Sequence, residues 1–237
     1  MASKIALIIG AGPNIGAALA TAFAAKGYKV ASASRTPHVS SGTLHIPVDL
    51  SKPETVPGVF ETARKELGGE VGVVVYNAAF FRPDPADPLS QYAPESIQVY
   101  HDSQSVNATS ALVSLHESVK AFRNLPAGGD ASKTFIFTGN MLNVKTLKNM
   151  LNFGLGKTVT AYAIRHLVEQ KVYADEGIKF YYADERNSEG LPVGNAVSGE
   201  AAADEYVKLA ERADQGPWLY TFVKGAGYKD FEKASHL

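Results

Sequence analysis

Apolar runs alternate along the chain with stretches whose apolar residues recur every three or four positions. KIALIIG (4–10) is nearly continuous in apolar residues and closes on glycine, as a strand buried on both faces of a parallel sheet does. IGAALATAFAAKG (15–27) is built of helix formers and stops at Gly27. YKVASAS (28–34) and TLHIPV (43–48) predict two further strands, and a helix is expected near 53–67. VGVVVYNA (71–78) predicts the fourth strand, followed by a long helix over about 95–123. KTFIFTG (133–139), a second long helix over about 150–175, and IKFYYAD (178–184) come next. EAAADEYVKLAERA (200–213) reads as helix and PWLYTFV (217–223) as a last strand. Strand alternating with helix predicts one doubly wound α/β domain over 1–237, with a seven-stranded parallel sheet and helices on both faces. FRPDPADPLS (81–90), the most proline-rich stretch, reads as a loop.

Composition removes several function classes. At 237 residues the chain is long enough for one full core and short for two. A net charge of −1 gives no electrostatic case for nucleic acid or an anionic membrane as partner. The absence of cysteine excludes disulfides, thiolate metal sites and cysteine nucleophiles. His101 and His116, about four turns apart on one helix, do not have metal-ligand spacing, so no metal is expected. The N-terminus lacks the features of a signal peptide and no apolar run reaches a membrane span, so a cytoplasmic protein is expected. Ser235-His236-Leu237 resembles the S-K-L peroxisomal address, with histidine as a basic variant, which leaves a peroxisomal location open.

IIGAGPNIG (8–16) falls where the first strand turns into the first helix, the place a Rossmann-type dinucleotide fingerprint requires. Gly10 and Gly12 are expected to allow a tight turn. Gly16 is expected to let the helix pack closely, with Asn14, Ile15 and Gly16 presenting amides to a pyrophosphate. The second strand ends in Ser34-Arg35 with no acidic residue. Arginine there suits the 2′-phosphate of NADP(H), whereas a carboxylate would suit NAD(H). NADP(H) is therefore the preferred cofactor and NAD(H) remains possible. Asp49 is placed to reach the adenine or to cap the next helix, a cap that Ser51 can also supply.

With these residues the chain resembles the short-chain dehydrogenase/reductase superfamily, classical type, over essentially its whole length. The family's T-G-x-x-x-G-x-G falls on IGAGPNIG, with Gly10 and Gly16 matching, Ile9 in place of threonine and Asn14 in place of the middle glycine. Asparagine tolerates a left-handed backbone, so the turn is expected to survive. The family's N-N-A-G falls on Tyr76-Asn77-Ala78-Ala79. The resemblance places the catalytic tetrad on Asn107, Asn140, Phe153 and Lys157, and so replaces serine by asparagine and tyrosine by phenylalanine. Asp184-Glu185-Arg186 stands where the family usually has Pro-Gly beside the nicotinamide. A second Y-x-x-x-K, Tyr220 to Lys224, lies on the last expected strand and is set aside.

In the family, as the resemblance implies, the tyrosine donates a proton while hydride arrives from the nicotinamide, the serine orients the substrate, and the lysine holds the ribose and lowers the tyrosine pKa. Phenylalanine donates nothing, and general acid catalysis is worth ~10²–10⁴-fold. Asn140 can still position a polar group. Three functions stay open: NADPH-dependent reduction of an activated C=N or C=O small molecule, a cofactor-bound non-redox reaction (isomerase, cyclase or lyase), or catalytically inactive nucleotide binding. Asp184 and Glu185, at the carboxyl edge of the sheet, are candidate acids if Phe80, Phe81 or Phe153 desolvates them. Tyr162, Tyr181 and Tyr182 are expected in or near the core. The two long helices commonly form an oligomer interface in the family, which implies a homodimer or homotetramer.

Overall fold

The computed structural model describes residues 4–38, 42–125 and 132–231. The terminal Ser235-His236-Leu237 lies outside the described residues. The strands are β1 (Ile5–Ile9), β2 (Lys29–Ser34), β3 (Leu44–Pro47), β4 (Val73–Tyr76), β5 (Thr134–Thr138), β6 (Lys179–Arg186), β7 (Leu219–Val223) and β8 (Gly227–Tyr228). They form one sheet in the order β3-β2-β1-β4-β5-β6-β7-β8. The first seven are parallel, as expected. The eighth corrects the seven-strand expectation: Gly225 and Gly227 both take positive φ and turn the chain back, so that β8 pairs antiparallel with β7.

The helices are α1 (Ile15–Ala25), α2 (Val56–Leu67), α3 (Ile97–Gln104), α4 (Ser110–Arg123), α5 (Leu151–Glu169) and α6 (Gly199–Glu211). Side-chain alternation along β1 divides the core. Ile5, Leu7 and Ile9 join one apolar cluster with residues of α2, α4 and α5, while Ala6 and Ile8 join a second with residues of α1 and α6. The expected helix over 95–123 is helical from 97 to 123 but carries a π turn at Ser105–Thr109. Such turns widen a helix by one residue and re-aim its side chains. β6 runs two residues past the expected strand, because Glu185 and Arg186 pair in register with Phe222 and Val223 of β7. Among the described residues no helix is long and apolar enough to cross a membrane.

The chain winds outward from β1 to β3, then returns to the other side of β1 at β4. That reversal opens a crevice at the carboxyl ends of the central strands, where open α/β sheets bind ligands.

Candidate active site at the switch point

A cleft of about 460 Å³ lies in this crevice. Its floor is made by Gly12–Ile15, Asn77, Thr138–Asn140 and Ala183–Glu185, one side by Phe153 and Lys157 of α5, and the other by Tyr206 of α6. Gly12, Asn14, Ile15, Asn77, Asn140, Phe153, Lys157, Asp184 and Glu185, all singled out from sequence, meet there.

The glycine turn differs in detail from the expectation. Gly10 takes φ +87°, and a Cβ on it would lie 2.3 Å from the Ala78 amide nitrogen. Ala78 therefore packs against the turn and does not line the cleft. Gly16 has a Cβ position 2.5 Å from Ala11 Cα, so only glycine lets α1 start this close to the turn. A Cβ on Gly12 would meet nothing within 4 Å. Asn14 does not use a left-handed backbone: its φ is −92°. It is held by its side chain, which donates to Val197 O (2.9 Å) and accepts from the Gly199 amide (3.0 Å). This ties the turn to the start of α6. The amides of Asn14, Ile15 and Gly16 donate to no acceptor among the described residues, as expected of a free helix N-terminus. Asn77 donates to Gly10 O (2.9 Å) and braces the same turn.

The residues expected at the adenosine end lie away from the cleft, at the ends of β2 and β3. Ser34 Oγ donates to Thr36 O (2.6 Å). Arg35 is exposed. Asp49 caps no α-helix; its Oδ1 accepts from the Ser51 amide (3.1 Å) and hydroxyl (2.8 Å). Those bonds from Ser51, with small help from Lys52 and Arg35, hold its pKa below the usual value.

At the opposite end, Lys157 is 3% exposed. Nζ donates to Thr138 O (2.9 Å) and lies 4.5 Å from the Phe137 ring centroid and 5.4 Å from that of Phe153. Burial lowers its pKa to about 7, against the opposing pull of Asp184. Phe153 packs edge-on to Phe81 (5.3 Å, 63°). Asn140 Oδ1 accepts from the Leu142 amide (3.1 Å), while its backbone N and O both bond Tyr182 Oη. Asn107 is completely buried in the π turn. Its amide clamps Phe80, accepting from N (2.9 Å) and donating to O (2.8 Å), and also donates to Ser103 Oγ. It positions the segment after β4 and does not line the cleft.

Asp184 and Glu185 lie near the carboxyl end of β6, as expected. Asp184 is ion-paired with Arg186. Burial raises its pKa to about 6, opposed by Arg186 and then by Lys157. Glu185 Oε2 accepts from the Ser198 amide (2.7 Å); burial raises its pKa and that bond lowers it.

Two groups escaped the sequence reading. Tyr206 Oη donates to Thr138 Oγ1 (3.1 Å) at the cleft wall. Asp84, inside the proline-rich stretch, accepts from the Leu151 (2.6 Å) and Asn152 (3.2 Å) amides, so it caps α5 just before Phe153. Tyr162 corrects another expectation: it is 70% exposed. Tyr181 and Tyr182 are core residues, as expected. Tyr220 is buried on β7 with its hydroxyl on Glu205 (2.6 Å), and Lys224 is ion-paired with Glu200 (3.9 Å).

A family model described as short chain dehydrogenase matches residues 4–130. A short chain dehydrogenase/reductase, dmxR12, of Cryptosporiopsis sp. (strain 8999) is 39% identical over 241 residues, covering 98% of this chain and 96% of that protein. Among solved structures, a 3-ketoacyl-(acyl-carrier-protein) reductase from Brucella melitensis complexed with NADH matches with TM-score 0.74 at 18% identity, covering 94% of this chain and 96% of its own. A metagenomic short-chain oxidoreductase in complex with NADP matches with TM-score 0.74 at 15% identity, covering 94% and 98%. At such identities these two show a shared fold and no more.

Proposed function

The chain belongs to the short-chain dehydrogenase family, and from that membership we propose an NADP(H)-dependent oxidoreductase with an altered tetrad, acting on an activated C=O or C=N group of a small molecule. The observation that carries the cofactor assignment is the start of α1. Three amides, on Asn14, Ile15 and Gly16, are unpartnered among the described residues, and Asn14 and Ile15 line a cleft into which Lys157 also faces. Free amides at a helix N-terminus favour a phosphate, and the cleft runs from there to the end of β6. The residues present thus fit a dinucleotide. The first turn of α1 would hold the pyrophosphate, Lys157 the nicotinamide ribose, and Arg35 with Ser34 and Asp49 the adenosine. Once bound, the nicotinamide supplies or accepts a hydride. The chain's own part is to exclude water with Phe81, Phe153, Met141 and Leu142, and to orient the acceptor group through the Asn140 carboxamide nitrogen, which has no hydrogen-bond partner among the described residues. A C=N cation needs no proton as hydride arrives, which makes it compatible with a phenylalanine at position 153.

The solved neighbours named above carry NADH or NADP, so the choice of cofactor rests on Arg35. Arg35→Ala should weaken NADPH binding by roughly 10–100-fold, the worth of a charge-assisted hydrogen bond to a phosphate of about 1.5–3 kcal/mol, while NADH affinity stays within a factor of about two. Fluorescence titration measures both. Equal affinities for the two cofactors in the unmutated protein would defeat the NADP(H) assignment.

The same family membership supports a homo-oligomer. α5 exposes Leu151, Leu155, Val159 and Tyr162 at helical spacing, beside exposed Leu112 of α4. Light scattering is expected to give a mass of two or four chains, and Tyr162→Glu with Leu155→Glu should dissociate it. A monomer at micromolar concentration would remove this proposal.

A further inference from the structure

We propose that Lys157 is the proton donor of this site, in the place of the hydroxyl that Phe153 lacks. The proposal rests on the oxidoreductase reading above and concerns its carbonyl substrates.

The geometry leaves Lys157 as the group able to serve. It lines the cleft and hydrogen-bonds only Thr138 O, so two of its three N–H bonds have no acceptor among the described residues. The aromatic faces of Phe137 and Phe153 bracket it and accept no proton. The other groups of the cleft that carry an acidic proton are engaged. Asp184 is paired with Arg186, Glu185 holds the Ser198 amide, and Tyr206 donates to Thr138 Oγ1. Burial strengthens the hold of Tyr206 on its proton. Asn140 is not an acid in the working pH range.

Asp184, from β6, is the charged group that acts on Nζ, and Arg186 stands behind it. The turn after β5 presents Thr138 and Asn140, and α6 presents Tyr206, all uncharged. Burial alone favours the neutral amine, whereas Asp184 and the two ring faces favour the ammonium. A balance near neutrality makes both forms available, which is the condition for efficient proton transfer.

In the reductive direction the carbonyl carbon takes the hydride and the C=O π pair moves to oxygen. That oxygen takes a proton from the ammonium, breaking one N–H bond and forming an O–H bond. After the alcohol leaves, solvent entering the cleft returns a proton to the amine. In the oxidative direction the neutral amine removes the hydroxyl proton as hydride leaves carbon.

Two measurements test this. In the cofactor-free protein, lysines labelled with ¹³C at Cε are titrated by NMR, and Lys157→Met identifies the resonance of Lys157. Its midpoint is expected within about one unit of 7, far from the ordinary lysine value of about 10.4. A midpoint above about 9 overturns the proposal. Lys157→Arg then keeps a cation for the ribose but cannot give up a proton. NADPH affinity should remain within about 10-fold while carbonyl reduction falls by ~10²–10⁴-fold, and the decline of kcat as pH rises through 7 should vanish. An unchanged kcat, or a loss confined to nucleotide KM, shows that Lys157 only holds the ribose and overturns the proposal. Should Lys157→Arg not fold, Lys157→Ala is assayed with added ethylammonium: recovery of about 10-fold or more supports the donor role, and no recovery by a variant that still binds NADPH refutes it. Absence of NADPH binding by the unmutated protein is read separately and refutes the underlying function.

Discussion

Gly10→Ala is expected to unfold the glycine turn and lower Tm by roughly 8–16 °C. At φ +87° an L-residue is strained, and the new Cβ would press into the Ala78 backbone at 2.3 and 2.4 Å. A disfavoured φ costs about 1–3 kcal/mol, and a clash that moves backbone costs about 1–3 more. At about 2–4 °C per kcal/mol for a chain of this size, a total near 4 kcal/mol gives the stated shift. Nucleotide binding should fail with it, because β1, Asn77 and the start of α1 are joined through this residue. Gly12→Ala is the control: its Cβ meets nothing within 4 Å, so Tm should move by no more than about 2 °C, the scale of an ordinary surface substitution. Calorimetry on both variants decides. Equal shifts would mean that the close approach of Gly10 to Ala78 does not govern the turn.

The two glycines look alike in IIGAGPNIG, and the positive φ of Gly10 and the packing of Ala78 against it separate them. The same division runs through the molecule. The seven parallel strands were legible because strands buried on both faces are mainly apolar, and β4 as VVVY leaves little else to infer. The two-residue β8 carries no periodicity to detect. The extension of β6 was hidden for the opposite reason. Glu185 and Arg186 continue a run of charge that starts at Asp184, and the pattern rule does not carry a strand through consecutive charged residues. They remain buried because Arg186 pairs with Asp184 and Glu185 takes the Ser198 amide.

For the site, the motif spacing brought Asn140, Phe153 and Lys157 into one cleft. What it could not supply was the partner of each group. Asn107 matched a motif position but spends its amide on Phe80. Asn14 holds its turn through a bond to residue 199, with a negative φ, because its carboxamide finds both a donor and an acceptor at the start of α6. Asp84 caps a helix that begins 67 residues later, whereas sequence signals for caps are local. Tyr206 is one residue of an amphipathic helix, and nothing in EAAADEYVKLAERA separates a cleft tyrosine from a core one.

Restoring the motif tests what the site does in its absence. Asn140→Ser with Phe153→Tyr should fold. Serine can still accept from the Leu142 amide, the bonds to Tyr182 Oη come from the backbone of residue 140, and Phe153 already borders the cleft. The new phenol lies within the influence of Lys157, since Nζ is 5.4 Å from the present ring, and a nearby ammonium lowers a phenol pKa. The double variant is expected to gain weak reduction of unactivated ketones, because the phenol adds a second donor where Phe153 offers none. The native reaction should change by less than about 10-fold, because Lys157 already supplies its proton or a C=N cation needs none. The fall of kcat around pH 7 should also move to higher pH, as the phenol replaces a lysine that burial has brought to about 7. NADPH consumption followed against pH for both substrate types gives the answer. A native rate rising by the full ~10²–10⁴-fold of a missing acid would mean that the site has no proton donor of its own, and the role given to Lys157 would fall with that result.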